Sequence, residues 1–120
     1  GGILSKVLIV FSTATYSRAR EGLDLVLGLS SFIEDLTVVF KDEGLRLLFK
    51  GNRVPQCHGE RDFFKTMGML ELYDISDIRV VQDSLVYKEY IKQQPDLEVT
   101  AISQEEFVSL LASSQHKIMI

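Results

Sequence analysis

Cys57 is the one thiol in this chain, and it is therefore the one side chain that could carry sulfur as a persulfide. It lies in the segment Arg53-Val-Pro-Gln-Cys-His-Gly-Glu-Arg61, just before a predicted helix. Nearby cationic groups and a helix N-terminus both favour the thiolate, which is the nucleophilic form. One interpretation is a persulfide carrier, and the other is an incidental thiol in a loop. The residues alone leave both interpretations open.

A second candidate site is the polar loop from Ser12 to Ser17, which follows the first apolar run. Hydroxyls and backbone N–H groups in front of a helix can hold a phosphate. The chain has no GxGxxG or GxxxxGK[ST] motif, and this segment lacks the glycine of a flavodoxin-type phosphate loop. A flavin- or nucleotide-binding module is therefore one interpretation, and a turn rich in helix-capping hydroxyls is the other.

The remaining polar residues give no pattern of a metal site or a catalytic triad. His58 and His116 are far apart in sequence, and one cysteine cannot supply a multi-cysteine zinc site. No GxSxG motif is present. Acidic residues lie near predicted helix starts, where capping and the helix dipole explain them: Glu21, Asp24, Asp42, Glu43, Glu60 and Asp62. We therefore expect no metal and no cofactor.

Composition limits the classes of function further. The chain has 120 residues, 13 Lys+Arg and 17 Asp+Glu, for a formal net charge of −4. This length suits one domain, and the acidic balance argues against direct binding of nucleic acid. No apolar stretch approaches the roughly 20 residues of a membrane span, and no signal-peptide pattern is present. A single cysteine excludes an internal disulfide, so we expect a reducing, cytoplasmic setting.

The elements that must position these residues alternate between apolar runs and amphipathic segments. The apolar runs predict five strands, at residues 6–12, 36–40, 78–82, 97–102 and 116–120. The amphipathic segments predict helices at residues 18–33, 42–49, 60–72, 83–93 and 103–112, and residues 51–59 are the most loop-like.

Two helix starts have their own signals, because Asp83 could cap one helix and Ser103 with Glu106 forms a capping box for another. The alternating order predicts an α/β fold: a three-layer α/β/α sandwich around a five-stranded parallel sheet. Residues 6–120 form one domain in this prediction, and residues 1–5 are a cloning remnant and N-terminal extension.

Five segments occur in an order that resembles a known family: Phe11-Ser-Thr-Ala-Thr-Tyr16, Arg20-Glu-Gly-Leu-Asp24, Asp42-Glu-Gly-Leu45, Arg61-Asp-Phe63 and Leu70-Glu-Leu-Tyr-Asp-Ile75. Together they resemble the DsrE/DsrF-like sulfur-relay family, most closely its DsrF branch. The resemblance implies a heterohexamer with TusB-like and TusD-like subunits, two of each. Such a complex takes persulfide sulfur from a TusA-like carrier and passes it through TusE toward 2-thiolation of the tRNA wobble uridine.

The resemblance also implies that this chain is not the sulfur-carrying subunit. In the family the working cysteine belongs to the D-type subunit, at the end of the third strand. The matching stretch here is Ile78-Arg-Val-Val-Gln-Asp-Ser-Leu85, which has Val80 at the cysteine position. We therefore expect a non-catalytic, structural subunit. A persulfide carrier using Cys57 and a DsrF-like subunit in sulfur oxidation are the alternatives.

The first helix has more apolar surface than packing on a sheet requires. One face is formed by Ala19, Leu23, Val26, Leu27 and Ile33, whereas Leu25, Leu29 and Phe32 form a second stripe. Exposed apolar patches usually mark interfaces. The sequence therefore predicts an interface with sister subunits, formed by Leu25, Leu29, Phe32, Phe63, Phe64 and Met67.

Overall fold

A five-stranded, all-parallel sheet forms the centre of the molecule, as the alternating sequence pattern predicts. The computed structural model describes residues 4–49, 63, 65–93, 95 and 98–120. The strands lie in the order β4-β3-β2-β1-β5. Their bounds are β1 Leu4–Phe11, β2 Ile33–Phe40, β3 Ile78–Val81, β4 Thr100–Ile102 and β5 His116–Met119.

Three helices connect these strands within the described residues: α1 Tyr16–Leu29, α2 Leu85–Lys92 and α3 Gln104–Ser113. Shorter 3-10 segments cover Ser30–Phe32, Asp42–Leu48 and Glu71–Tyr73, and residues 63 and 65–67 are helical. The predicted loop at 51–59 and the start of the predicted helix at 60–72 lie outside the described residues. None of the described helices is long and apolar enough to cross a membrane.

Several boundaries differ from the predictions, and at the end of α1 and the start of β1 the reason is that strand pairing overrides local pattern. The first helix ends at Leu29 rather than Ile33, since Ile33 already pairs with Leu4 in the sheet. For the same reason the sheet begins before residue 6. Leu4 belongs to β1, and the Ser5 backbone N–H donates to Gln115 Oε1 at 2.9 Å.

Helices cover both faces of the sheet, which gives the three predicted layers. On the first face, α1, α2, the 42–48 segment, residue 63 and residues 65–70 pack against Phe11, Phe40 and Val80. On the second face, Phe107 and Leu110 of α3 pack against a smaller apolar set: Leu8, Val10, Val39, Val81 and Ile102. Strands β1 to β4 follow one another in sequence order across the sheet. Right-handed crossovers, which parallel strands require, place the connections between them on one face. The connection to β5 runs back and takes the other face.

The capping box of α3 is confirmed. Ser103 Oγ accepts from the Glu106 N–H at 3.1 Å, and Glu106 Oε1 accepts from the Ser103 N–H at 3.3 Å. The predicted cap of α2 is wrong, because Ser84, not Asp83, is adjacent to the helix and accepts from Tyr87 N–H at 3.2 Å. Asp83 Oδ2 instead accepts from the Gln104 N–H at 2.8 Å, which joins the end of β3 to the start of α3.

Candidate functional site

The carboxyl edge of the sheet is a candidate site, because ligands of parallel α/β folds bind at the carboxyl ends of the strands. Here the ends of four strands bring Ser12, Lys41, Gln82 and Ser103 to one edge. Backbone hydrogen bonds hold these loops to the strands. Lys41 N–H donates to Phe11 O at 3.0 Å, and Gln82 N–H donates to the carbonyl of the adjacent strand end at 2.9 Å. Backbone hydrogen bonds therefore set where the loop side chains lie at this edge.

The hydroxyl-rich loop after β1 is exposed at Thr13, Ala14 and Thr15. Ser12 Oγ donates to the Ile120 carbonyl at 3.2 Å, so this hydroxyl ties the loop to the last residue of the chain. Thr15 occupies the N-cap of α1 without a side-chain capping bond. The interpretation of these hydroxyls as helix caps is therefore wrong for Thr15. The phosphate-binding interpretation stays a prediction.

Val80, the residue that the resemblance aligns with the family cysteine, is the third residue of the four-residue strand β3. Its side chain is 1% exposed and belongs to the core on the first face, together with Tyr90 of α2. It pairs with Phe40 and Ala101 in the neighbouring strands. A buried aliphatic side chain offers neither a nucleophile nor access to a sulfur donor. Cys57, His58 and Phe64 lie outside the described residues, and the described part of the chain contains no thiol.

The charged side chains near this edge are bound to one another. Lys41 Nζ lies 3.0 Å from Asp42 Oδ2 and 5.1 Å from the centre of the Phe107 ring. Arg46 contacts Glu43 at 2.6 Å and Glu89 at 3.2 Å. The hydrogen bond to Glu43 is the main reason that the pKa of Arg46 lies above its usual value. Pairing of this kind stabilises the charged forms, and it does not prepare a general acid or base.

No metal site emerges from the described residues either. Ranges 4–49, 65–93 and 98–120, with residues 63 and 95, contain no group of three or more His, Cys, Asp or Glu side chains able to hold a metal ion. His116 is exposed at the start of β5 and pairs through its backbone with Val7.

Sequence reasoning missed an ion pair on the second face of the sheet. Asp77 Oδ1 accepts from Arg79 Nε at 2.9 Å, and its Oδ2 accepts from Arg79 Nη2 at 3.2 Å and from Thr37 Oγ1 at 2.9 Å. Burial acts to raise the pKa of Asp77, but the hydrogen bonds from Arg79 and Thr37 outweigh it and lower that pKa. The sequence did contain a signal for this ion pair: Asp77 and Arg79 are two residues apart, and residues with that spacing share a face of a strand. This network links β2 to β3.

The apolar stripe on α1 is exposed, as its prediction requires. Leu25 is 50% exposed and Phe32 is 46% exposed, and Leu29 between them is half-buried. The opposite side of the helix, with Leu23 and Val26, is buried against the sheet. The exposed side chains of Leu25 and Phe32 therefore give this side of the domain an apolar surface.

The prediction is wrong for Phe63 and Met67, which do not lie on the surface. Phe63 is fully buried and Met67 is 9% exposed, and both belong to the core on the first face. The strand order explains this outcome. Strands β2 and β3 lie inside the sheet, and the described parts of their connection, residues 42–48, 63 and 65–70, belong to the same core as α1 and α2. Helix α1 lies at the flank, so part of its surface stays open.

Comparison with known proteins gives a consistent result in sequence and in structure. The model of the DsrE/DsrF-like family matches residues 5–119. Among similar proteins, "Protein TusC homolog" of Aliivibrio fischeri is 31% identical over 105 residues, which cover 86% of this chain and 88% of that protein. "Protein TusC" of Escherichia coli O8 is 39% identical over 84 residues, 68% of this chain and 70% of that protein.

A solved structure supports the fold independently of sequence. The crystal structure of the ychN protein from E. coli superposes with a TM-score of 0.65 and covers 98% of this chain and 100% of its own. The sequence identity is 13%, so this likeness concerns the fold alone.

Proposed function

The chain belongs to the DsrE/DsrF-like family, and from this premise we propose that it is a non-catalytic, structural subunit of a TusBCD-like sulfur-relay complex. Its place there is that of the TusC (DsrF) subunit, in keeping with the relatives that carry this name. The complex passes persulfide sulfur toward 2-thiolation of the tRNA wobble uridine. The chain's own contribution is to shape the surface around a partner's cysteine.

The observation that carries this proposal is the state of the third strand. The resemblance puts Val80 at the position of the family cysteine, and the side chain of Val80 is buried in the core. Two polar side chains that follow this strand are already hydrogen-bonded: Asp83 Oδ2 accepts from the Gln104 N–H, and Ser84 Oγ accepts from the Tyr87 N–H. Sulfur relay requires a thiolate that attacks and then releases sulfur. This edge therefore supports a subunit that assists the relay without holding the sulfur.

The partners follow from the same premise. We place the chain in a cytoplasmic heterohexamer with TusB-like and TusD-like subunits, two of each. That complex docks a TusA-like sulfur carrier and TusE. A net charge of −4 supports a step upstream of the tRNA, since an acidic surface repels the phosphate backbone. The exposed stripe of Leu25, Leu29 and Phe32 supports contacts with sister subunits.

Genetic replacement combined with mass spectrometry tests the proposal. Deleting the gene should remove 2-thiouridine from digested tRNA, because the complex cannot assemble without this subunit. Complementation with the wild-type chain and with Cys57→Ser should restore it equally. Co-purification with the TusB-like and TusD-like proteins of the same genome tests the complex itself.

Persulfide loading provides the matched biochemical control. Incubated with a persulfide donor, the TusD-like subunit should gain about 32 Da on its cysteine, whereas this chain should stay unmodified within the complex. A stable adduct on Cys57, together with loss of tRNA thiolation in Cys57→Ser, would instead establish a carrier. Persistence of 2-thiouridine after gene deletion would remove the chain from the pathway.

A further inference from the structure

A groove opens at the amino-terminal edge of the sheet, at the opposite ends of the strands from the carboxyl edge described above. It is lined by the segment around Glu71 and by the first residues of β3 and β4, Ile78 and Thr100. Its volume is about 640 Å³, and ligand sites in proteins have volumes of roughly 300–1,000 Å³. The proposed function makes no use of this edge.

The floor of the groove is apolar. Leu70, Ile75 and Ile78 line it and are buried members of the core on the first face. Val99 is half-buried, lines the groove as well and packs against the same core. Side chains of this kind offer van der Waals contact to hydrocarbon and no hydrogen bond. An occupant must therefore bring apolar groups to the floor.

The rim of the groove is acidic. Glu71, Asp74 and Glu98 line it, and all of them are exposed. Among the described residues that line the groove, none is a lysine, an arginine or a histidine. Within the described part of the chain, no ion pair neutralises these carboxylates, whereas Glu43 and Glu89 at the carboxyl edge both contact one arginine. The negative charges at the rim therefore add, and they attract a cation.

The charge of Asp74 has no role in the local turn. Its backbone has a left-handed φ of 58° where the 3-10 segment ends. Glycine or asparagine satisfies such a turn at least as well as aspartate, because glycine has no Cβ and asparagine tolerates this conformation. The carboxylate of Asp74 is therefore available to a group outside the turn.

The floor and the rim together define the chemistry of the occupant. Arginine combines an apolar stem with a planar guanidinium, whose N–H donors can contact more than one carboxylate. A single arginine side chain does not fill a groove of this volume, so neighbouring residues of the same segment must enter with it. A free polyamine has the positive charge, but it has no apolar side chains to cover the floor.

We propose that this groove docks a partner protein through a short segment in which arginine stands next to apolar residues. The apolar residues of the segment cover Leu70, Ile75 and Val99. The guanidinium of the segment lies at the rim, where it can contact the carboxylates of Glu71, Asp74 and Glu98.

A peptide with the core Leu-Arg-Val-Arg, titrated into the isotope-labelled chain and followed by amide NMR, tests the proposal. Signals of residues 71, 74 and 98–100 should shift and saturate. Glu71→Gln, Asp74→Asn and Glu98→Gln each remove one charge at nearly constant size, so each should weaken binding about two- to fivefold, and the triple variant at least about tenfold. Exposed Glu105 on α3 gives the matched control, because Glu105→Gln should leave the affinity unchanged. Circular dichroism should show every variant folded.

Two further probes separate the occupants. Spermidine, and the same peptide with serine in place of leucine and valine, should bind at least about tenfold more weakly, because burial of apolar side chains is lost. Equal binding of spermidine and the peptide would overturn the docking site, since the rim would then be only a negative patch. Absence of saturable binding, shifts confined to other residues, or an unchanged affinity in the triple variant would each refute it as well. The proposed function is unaffected by these outcomes, because it concerns the other edge of the sheet and α1.

Discussion

Gly44 offers the sharpest test of how the carboxyl edge of the sheet is built. It lies in the 3-10 segment that follows β2, directly over the end of β1. A Cβ at this position would be 1.9 Å from the Phe11 oxygen, 2.5 Å from the Phe11 carbonyl carbon and 2.9 Å from the Ser12 nitrogen. All three atoms are backbone, so no side chain can rotate away. The change Gly44→Ala must therefore move the segment or the strand.

The size of the effect follows from that displacement. Ordinary carbon–oxygen contacts lie at about 3.3 Å or more, so the segment must move by roughly 1.4 Å. Such a shift disrupts the hydrogen bond from Lys41 N–H to the Phe11 carbonyl, which now measures 3.0 Å. Overpacking costs about 1–3 kcal/mol and a broken buried hydrogen bond about 1–3 kcal/mol. We expect the free energy of unfolding to fall by about 3–5 kcal/mol, a large share of the usual total.

Thermal and urea unfolding followed by circular dichroism measure this change, with two glycines of α1 as matched controls. Gly22→Ala should change stability by less than about 1 kcal/mol, because the Ile120 side chain at 2.9 Å can shift and alanine favours the helix. Gly28→Ala should be neutral or stabilising. For Gly44→Ala, Tm should fall by about 10–20 °C.

The relative stabilities of the three glycine variants test whether the 42–48 segment packs tightly against the end of β1. A Gly44→Ala chain within about 1 kcal/mol of wild type would show that the edge adjusts without strain. A Gly44→Ala variant less damaging than Gly22→Ala would equally contradict the close approach of this segment to β1.

Three further predictions follow from individual contacts. The pKa of Asp77 lies below its ordinary 3.8, so the pairing of Asp77 stabilises the fold above that pH. Unfolding measured across an acid titration should show this stability lost as the pH falls below 3.8, and Asp77→Asn should remove that part of the pH dependence. An unchanged pH profile in Asp77→Asn would contradict the prediction. Asp74 has a left-handed φ of 58°, a conformation that glycine adopts freely and that valine disfavours. Asp74→Gly should therefore raise the free energy of unfolding in urea by up to about 1 kcal/mol, and Asp74→Val should lower it by about 1–2 kcal/mol. Equal stability of the two variants would contradict the strain at this position. Leu29→Glu should abolish assembly with the sister subunits in light scattering while the free chain stays folded, and an unchanged mass of the complex would refute the interface.

The motifs that carry the family resemblance are packing devices in this chain. The two Glu-Gly-Leu segments place Gly22 and Gly44 at close approaches, and the leucine that follows each glycine is fully buried. In the third motif, Asp74 takes the left-handed conformation while the Ile75 N–H donates to the Leu70 carbonyl at 2.9 Å. That bond and the one from Asp74 N–H to the Glu71 carbonyl form a Schellman motif. Shared motifs of this kind specify the fold rather than a reaction.

Surface exposure was predicted correctly for Leu25 and Phe32 and wrongly for Phe63 and Met67. Leu25 and Phe63 are both apolar residues at helical spacing, and nothing in their local sequence separates them. Leu25 is half exposed, whereas Phe63 is fully buried. The difference comes from their places in the fold, because Phe63 packs into the core on the first face, whereas Leu25 lies on the side of α1 that faces away from that core.

Local chemistry explains what the sequence by itself determined: the alternation of strands and helices, which predicts a parallel sheet, and the capping box at Ser103. Each depends on residues close together in the chain, whose preferences act before any tertiary contact forms. Only the tertiary structure decided the strand order, the end of α1 at Leu29, the pairing of Asp77 with Arg79 and Thr37, and the open side of Gly28. These depend on distant segments meeting, because a residue's burial is set by the neighbours that the fold places against it.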